Sequence, residues 1–366
     1  METKILLEKL ELVVDKLMKL GGADYNSDKL VAQEELGKGL IARDAGIEEW
    51  DWPQGVGLYG LLKLQSYYNN NIYCEFLDNW YKNNLKKGLP SKNINTTAPY
   101  LTLAELTENP EYEKMCLEHA DYIMNDFCRT KEGGLQHVTT AIGNRDGIIL
   151  NDEELWIDTI FMAVLFLNRM GQKYNRIEWI SEAKKQVLVH IKYLFDKQSG
   201  LFYHGWSFNI NSNFGGVFWC RGNSWFTYGI IDYIEACGDS LDSGTKDYLI
   251  DTYKAQVDAL IKLQNSSGLW STVLTDKKSY DEVSGSAAIT AGILRGIKIG
   301  VLDKEYKKYA EKALIGICDN IADDGTVLNV SAGTGMGYDA EHYKQIAIKP
   351  MAYGQSLTIL ALYEGL

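Results

Sequence analysis

The sequence predicts an all-α protein, an (α/α)6 barrel in which six helical hairpins close into a ring. Two kinds of helical segment alternate along the chain, one amphipathic and the other apolar on nearly all sides. Polar turns that contain a glycine follow the amphipathic segments at a spacing of roughly sixty residues, as expected for one long hairpin per repeat. A helix without a polar side must be covered on all sides, so the apolar segments belong inside the ring.

The amphipathic segments are predicted to form the outer helices. In one of them Val187, Ile191 and Leu194 recur at helical spacing, while Glu182 and Lys184 point away from that apolar stripe. Lysine and glutamate mark the outward face in the other segments of this kind. The six predicted outer helices cover residues 4–20, 72–85, 112–127, 177–195, 247–263 and 305–321.

The apolar segments are predicted to form the inner helices, and small residues lie near their starts. They alternate strictly with the outer segments, which favours a closed ring over separate bundles. The six predicted inner helices cover residues 54–68, 96–108, 157–170, 224–237, 285–299 and 352–364.

The links from outer to inner helices have a common pattern of a polar turn, a glycine and a short extended stretch. Gly134, Gly200, Gly268 and Gly325 occupy equivalent places in four links, and a glycine there supplies the left-handed conformation that ends a helix. With no interdomain linker and only five prolines, the sequence predicts a single catalytic domain over residues 1–366.

Composition excludes several classes of protein. A net charge of −12 disfavours a nucleic-acid partner, although it says little about an acidic sugar, which one local arginine could attract. Six scattered cysteines without a CxxC pair predict a reducing cytoplasm and no thiolate metal site. The N-terminal segment lacks an apolar signal core, and the apolar run at 160–167 is too short to span a bilayer. We therefore expect a cytoplasmic protein that contacts neither nucleic acid nor membrane.

The outer-to-inner links all reach the same end of the predicted ring and are rich in aromatic and polar residues. Seven of the nine tryptophans fall on these links or at the starts of inner helices. Aromatic rings with hydrogen-bonding neighbours suit sugars, which have an apolar face and a polar rim. The glycine-rich segment SAGTGMGYD at 331–339 lacks the strand–helix context of a phosphate loop and is interpreted as a further loop at this mouth.

Asp158 is the most unusual residue of the mouth, because it directly precedes the most apolar run of the chain, in LWIDTIFMAVLFL. A carboxylate there either caps the following helix or carries out chemistry. His137 and His204 stand at matching positions of two links. Arg221, between Trp219 and Trp225, could be a stacked structural arginine or a bidentate anchor for a substrate carboxylate.

Several blocks of the chain resemble the unsaturated rhamnogalacturonyl hydrolases, glycoside hydrolase family 105. The blocks are WDWPQGVGLYGL, NINTTAPYLTLAEL, LWIDTIFMAVLFL, FYHGW, FWCRGNSW and KPMAYGQ, and they span essentially the whole chain. The resemblance implies an (α/α)6 barrel that removes a 4,5-unsaturated uronic acid from the non-reducing end of lyase-generated oligosaccharides, most often from rhamnose. It places the catalytic aspartate at Asp158 and sugar-contacting residues at Tyr59, His137, Trp156, His204, Trp219, Arg221 and Trp225.

The chain departs from some members of that family after the second outer helix, where Asn93 and Asn95 replace an aspartate. We expect both asparagines to bind substrate. One carboxylate suffices for the implied chemistry, because the substrate is a vinyl ether: Asp158 protonates C4, water adds at C5, and the resulting hemiketal opens. Burial beside tryptophan is expected to raise the pKa of Asp158 and keep it a usable acid. No metal or organic cofactor is expected.

Three alternatives remain open on the residues alone. A conventional inverting glycosidase would need a second carboxylic acid, for which Asp51 and Asp339 are the candidates. A sugar epimerase on the same fold would depend on His137 and His204. A non-catalytic oligosaccharide-binding protein would keep the tryptophans without needing Asp158.

Overall fold

The computed structural model describes residues 2–21, 46–68, 71–106, 108–141 and 144–366. Helices dominate these residues, and the six strands form three small two-stranded sheets. In chain order the elements are α1 (Thr3–Lys19), α2 (Trp52–Tyr68), α3 (Cys74–Lys87), α4 (Ile94–Leu103), α5 (Pro110–Asn125), β1 (Val138–Ala141), β2 (Asn144–Leu150), β3 (Glu154–Trp156), a π-helical turn (Ile160–Val164) continued by α6 (Leu165–Lys173), α7 (Ile177–Leu194), β4 (Phe195–Asp196), β5 (Leu201–Phe202), β6 (Gly205–Ser207), α8 (Cys220–Cys237), α9 (Ser243–Leu263), α10 (Val283–Lys298), α11 (Lys307–Asp319), α12 (Ala340–Lys344) and α13 (Ala352–Glu364).

The inner helices form a closed ring, which confirms the predicted (α/α)6 barrel. Around the ring α2 packs on α4, α4 on the π-helical turn, α6 on α8, α8 on α10, α10 on α13, and α13 on α2 again. The outer helices α1, α3, α5, α7, α9 and α11 correspond to the amphipathic segments of the sequence. Helices α8, α10 and α13 are buried along nearly their whole length, as segments without a polar side must be.

The predicted helix boundaries agree with the structure to within a few residues. The largest differences are at α4, predicted over 96–108 but observed as Ile94–Leu103, and at the starts of α8 and α9, which begin four residues before the predicted residues 224 and 247. Residue 107, within the predicted range of α4, lies outside the described residues. The sequence did not predict the β1–β2 hairpin or the short helix α12.

Four of the links are tight turns that dock on the next outer helix. Their left-handed glycines are Gly133, Gly200, Gly268 and Gly325, so the prediction of Gly134 was wrong by one position. A side chain at Gly268 would meet the Lys312 carbonyl of α11 at 2.3 Å. The last turn docks on the first helix of the chain, because Gly325 lies against the Leu12 carbonyl of α1 and thereby closes the ring.

The two ends of the ring differ in character. Inner helices start at the end that carries the links, whereas their later turns meet at the other end around Asp232. There Lys63 forms an ion pair with Asp232, and Arg169 binds Glu105 at 2.7 Å. A cavity of about 580 Å³ opens beside them, and its lining includes Lys63, Glu105 and Arg169, which already form ion pairs within the protein.

We predict that Gly325→Ala destabilises the barrel more than Gly300→Ala. Both glycines have φ near +80°, so alanine is strained at either position by about 1–2 kcal/mol. A Cβ at Gly325 would also lie 2.1 Å from the Leu12 carbonyl oxygen, whereas one at Gly300 meets nothing within 4 Å. Thermal denaturation of the two variants measures the difference, and equal losses of stability would show that docking on α1 contributes little.

Candidate active site

The β3–β6 sheet places Asp158 beside His204. Trp156 pairs with Gly205 in this antiparallel sheet, and the Ile157 N–H donates to the His204 carbonyl at 2.9 Å. The carboxylate Oδ2 of Asp158 therefore lies 3.3 Å from Nε2 of His204. The two atoms are close enough to exchange a proton, but their alignment is not that of a hydrogen bond.

Asp158 is not the N-cap of the helix that follows it. The first helical turn after it is π-helical, and no backbone N–H among the described residues donates to the Asp158 side chain. π-Helical turns are rare and are often found at functional sites. The carboxylate is thus available for chemistry, and 15% of its side chain is exposed.

Trp156 lies between the two histidines of the mouth. The His137 ring stacks on its indole at 4.4 Å with an interplanar angle of 14°, and the His204 ring meets it edge-on at 5.2 Å. His137 also contacts Thr159 Oγ1 through Nδ1 at 3.0 Å. Burial lowers the pKa of His137 to about 3, so this imidazole is neutral near pH 7.

The electrostatics of Asp158 differ from the expectation. Burial is the largest single influence and raises the pKa of Asp158, but His204, His137 and Arg221 together outweigh it. The net pKa therefore lies below its usual value of 3.8, and the carboxylate is ionised near neutral pH. The prediction that burial alone would keep Asp158 protonated was wrong, because it neglected the histidine and arginine brought in by other links.

Trp219, immediately before α8, and Trp225, within its first two turns, bring two indoles to this end of the ring. The Trp219 indole lies 4.5 Å from the His204 ring, and Trp225 packs between Trp52 and Phe161. The indole N–H groups of both Trp219 and Trp225 are buried without a partner in the described structure.

The guanidinium of Arg221 is occupied by contacts within the protein. One Nη group donates to the carbonyl and hydroxyl of Ser331 and the other donates to the Ala332 carbonyl at 2.8 Å. Glu282 lies 3.7 Å away, and Trp219 and Tyr353 cover the two sides of the group. The side chain is buried, and both Nη groups of its guanidinium already donate to protein oxygens. The expected bidentate contact with a substrate carboxylate therefore does not fit this geometry.

Asn93 and Asn95 have different roles, although they lie in the same turn. The Asn93 side chain accepts from the N–H groups of Asn95 and Thr96 and forms a capping box at the start of α4, so the structure gives it a helix-capping role, and its role in substrate binding stays a prediction. Asn95 instead donates to Thr140 Oγ1 at 3.0 Å, and Thr140 donates to Asp51 Oδ1 at 3.2 Å.

Tyr59 lies away from the mouth and was wrongly expected to contact sugar. Its hydroxyl donates to Asp232 Oδ2 at 2.7 Å, within the charged cluster at the opposite end of the ring. Asp232 lies eleven residues after Arg221 in α8, or about 16 Å along the helix axis. Tyr59 therefore contributes to the packing of the ring.

Sequence reasoning missed Tyr343, which reaches the site from α12. Its hydroxyl lies 2.8 Å from His204 Nδ1 and accepts from the Gly337 N–H at 3.1 Å. Met336 of the same glycine-rich loop lies against Gly205. The sequence placed this loop at the mouth correctly, but no local pattern indicates that Tyr343 contacts His204, since 139 residues separate them.

The site combines one ionised carboxylate, two imidazoles and several indoles at the mouth of an α-helical ring. Within the described parts of the chain, His, Cys, Asp and Glu side chains form no group of three that could hold a metal ion. In the same residues, no helix is both long and apolar enough to cross a membrane. Such a ring, with a carboxylate among indoles, defines a glycosidase of the helical-barrel class.

Comparison with known proteins identifies the family. The chain belongs to Glycosyl Hydrolase Family 88, whose profile matches residues 34–366. It is 33% identical over 325 residues to the unsaturated rhamnogalacturonyl hydrolase YesR of Bacillus subtilis, covering 87% of this chain and 90% of that protein. The resemblance seen in the sequence is confirmed, and the chain is a glycoside hydrolase.

Two solved structures share the whole fold. A possible member of the GH105 family from Salmonella enterica serovar Paratyphi A superposes with a TM-score of 0.91 at 35% identity, covering 100% of this chain and 94% of that one. A possible GH105 member from Klebsiella pneumoniae gives a TM-score of 0.90 at 34% identity, with coverage of 100% and 93%.

We predict that Asp51→Asn stabilises the protein near pH 7 but not near pH 4. Burial raises the pKa of Asp51 to about 6, above the 3.8 of the unfolded chain. The wild-type carboxyl therefore favours folding while it is protonated, and this contribution is lost as the pH rises through 6. The difference in free energy of unfolding should grow by about 1–3 kcal/mol between pH 4 and 7.

Urea denaturation at the two pH values measures this change. Asp242→Asn is the control of opposite sign, because the Thr245 N–H lowers the pKa of Asp242 to about 2. If Asp51→Asn showed the same difference at both pH values, Asp51 would not titrate in this range.

Proposed function

We propose that the enzyme removes a 4,5-unsaturated uronic acid from the non-reducing end of oligosaccharides released by polysaccharide lyases. The observation that carries the proposal is a cluster of buried polar atoms without partners around Asp158. Buried polar groups in folded proteins are normally hydrogen-bonded, so a concentration of unpartnered ones indicates where a polar ligand binds. The atoms are Asp158 Oδ2, His204 Nε2, Trp219 Nε1 and Trp225 Nε1.

The cluster offers a sugar both stacking surfaces and hydrogen bonds. In this proposal Trp156, Trp219 and Trp225 supply apolar faces, and the two indole N–H groups donate to oxygens of the uronic acid. His137, just before β1, stacks on Trp156, and Asn95 of α4 donates to the carbonyl of the next residue, Val138. Arg221 acts through Ser331 and Ala332 by holding the 331–339 loop in place, so it is a positioning residue.

The proposed reaction needs only one carboxyl group. Protonation of C4 by Asp158 leaves positive charge at C5, where the ring oxygen stabilises it. Water adds at C5 and returns a proton to Asp158, and the hemiketal then opens and expels the second sugar. The double bond is consumed and the glycosidic bond is broken, so the overall process is a hydrolysis.

An acidic substrate would itself generate the acid form of Asp158. The carboxylate is ionised in the unliganded enzyme, because His204 and Arg221 favour its charge. A bound uronate brings a second negative charge and displaces water, and both effects raise the pKa of a neighbouring carboxyl group. The proton donor is therefore completed when substrate binds.

The name of the Bacillus subtilis relative supports rhamnogalacturonan as the source of the substrate. That protein is an unsaturated rhamnogalacturonyl hydrolase and matches nearly the full length of this chain. We accordingly propose unsaturated galacturonyl-rhamnose as the preferred substrate and pectin degradation as the process.

A conventional inverting glycosidase is the second candidate, and Asp51 is the observation in its favour. The pKa of Asp51 is raised to about 6, as suits a general acid, and a hydrogen-bonded chain links Asp51 to Asn95 through Thr140. Asp339, the other candidate, caps α12 by accepting from the His342 N–H and is not a free acid of the site.

The ultraviolet absorbance of the conjugated double bond separates the two candidates. We expect absorbance to disappear in step with sugar release when the enzyme is mixed with a lyase-generated digest of rhamnogalacturonan. A saturated oligosaccharide of the same length should remain intact. Release of sugar from the saturated compound would instead support inversion with Asp51 as the second acid.

We predict that Asp158→Asn lowers kcat by about 10²–10⁴-fold, the usual contribution of a general acid–base group. The amide is nearly isosteric but cannot exchange the proton, so the melting temperature and sugar binding should change little. Asp152→Asn, an exposed substitution in the same link, is the matched control and should remain fully active. More than a tenth of wild-type activity in Asp158→Asn would remove Asp158 from the reaction.

We also predict that the pH profiles of kcat and kcat/KM differ. The first reports the enzyme–substrate complex and the second the free enzyme. Since the pKa of Asp158 is below 3.8 before binding, kcat/KM should rise continuously as the pH falls from 7 towards 4. The profile of kcat should reach its plateau at a higher pH, and coincident profiles would contradict generation of the acid by substrate.

A further inference from the structure

We propose that Tyr343 is a positioning residue that locks His204 in the tautomer whose Nε2–H faces Asp158. This inference rests on the proposed function for its catalytic consequence, but the tautomer itself is a property of the unliganded protein. It also gives a role to the glycine-rich segment 331–339, which connects to α12 and which the reaction does not otherwise use.

The hydrogen-bond directions around Tyr343 determine the tautomer. The Gly337 N–H can only donate, so the Tyr343 oxygen accepts at 3.1 Å and its own proton remains to be given to another group. His204 Nδ1 lies 2.8 Å from this oxygen, whereas the other acceptor in reach, Met336 Sδ, lies 3.9 Å away and is weak. The phenol therefore donates to Nδ1, which must be unprotonated.

The second ring nitrogen of His204 then carries the proton. A neutral imidazole has one N–H, and with Nδ1 accepting from Tyr343 this N–H is at Nε2. Nε2 lies 3.3 Å from Asp158 Oδ2, and both atoms are buried without another partner among the described residues. The opposite tautomer would place two lone pairs against each other at this distance.

The fold holds this arrangement from three directions. The β3–β6 pairing fixes the backbone of His204, because its carbonyl accepts from the Ile157 N–H. The His204 ring packs on Trp219, and Tyr343 packs on the other part of the same indole. The Tyr343 side chain is almost fully buried, so water does not compete for its hydroxyl.

Fixing the tautomer of His204 has a direct consequence for the proposed reaction. When Asp158 gives its proton to C4 of the substrate, a carboxylate forms 3.3 Å from Nε2, and the positive end of the Nε2–H dipole stabilises it. A histidine free to change tautomer would present a lone pair to that carboxylate for part of the time. Tyr343 thus acts on the chemical step through His204 without contact with the reacting atoms.

Nitrogen NMR of the full-length protein labelled with ¹⁵N-histidine tests the inference without any substrate. The chain has only five histidines, and the spectrum of His204→Gln assigns the signal. We expect wild-type His204 to show a protonated Nε2 and an unprotonated Nδ1. In Tyr343→Phe, which keeps the ring, a protonated Nδ1 should appear. Tyr338→Phe, which removes an exposed phenol from the same loop, should leave the spectrum unchanged.

Kinetics on the unsaturated substrate provide the second readout. Loss of one positioning hydrogen bond should lower kcat of Tyr343→Phe roughly tenfold while KM changes little. Tyr338→Phe should match the wild type. Activity lost through general destabilisation would instead be accompanied by a lower melting temperature and an unchanged tautomer.

A wild-type His204 with a proton on Nδ1, alone or together with one on Nε2, would overturn the inference, even if Tyr343→Phe failed to fold. An unchanged tautomer in a folded Tyr343→Phe protein would overturn it as well. If the tautomer changes as expected but the wild type does not consume the double bond, Tyr343 does fix the tautomer of His204 and the proposed function is wrong.

Discussion

The structure depends on one constraint, which is that the inner helices have no polar side to expose. Each must be covered by apolar neighbours all round, and a ring of six helices inside six others satisfies this requirement. Closure brings the ends of the chain together: Gln355 of α13 donates to the Val13 carbonyl of α1 and accepts from the Val327 N–H. Since the inner helices all run in one direction, every outer-to-inner link is brought to the same mouth.

The site follows from this closure, because its members come from links far apart in sequence. Asp158 and His204 are separated by 46 residues and meet only because β3 pairs with β6. Tyr343 arrives from near the other end of the chain. Each contributes one polar atom to a region that the aromatic residues otherwise make apolar. A substrate can supply the hydrogen-bond partners that the protein does not provide for these atoms.

The fold could be predicted from the sequence more completely than the site. Helix type depends on local periodicity, so the twelve barrel helices were placed to within a few residues. Positions that depend on partners from distant links could not be placed this way. Asn93 resembles a ligand-binding asparagine but satisfies the N-terminus of α4, and Tyr59 follows the mouth residues in sequence yet points to Asp232 at the far end. Arg221 lies where a residue that binds the substrate carboxylate was expected. Its guanidinium instead donates to the carbonyls of Ser331 and Ala332, which are more than a hundred residues away in sequence.

The hydrogen bonds that occupy the guanidinium of Arg221 bear directly on the ionisation of Asp158. A guanidinium in direct contact with a bound uronate would neutralise it, and the uronate would then have little effect on the pKa of Asp158. Where neutral donors such as the Trp219 and Trp225 indoles hold the uronate, no guanidinium contacts its charge directly, and only the more distant Arg221 offsets it near Asp158. The same negative charge that makes binding costly in a protein of net charge −12 would then raise the pKa of Asp158 and favour its protonation. On this account the enzyme selects an acidic sugar at the chemical step, because a neutral sugar of the same shape would leave Asp158 ionised and unable to start the reaction.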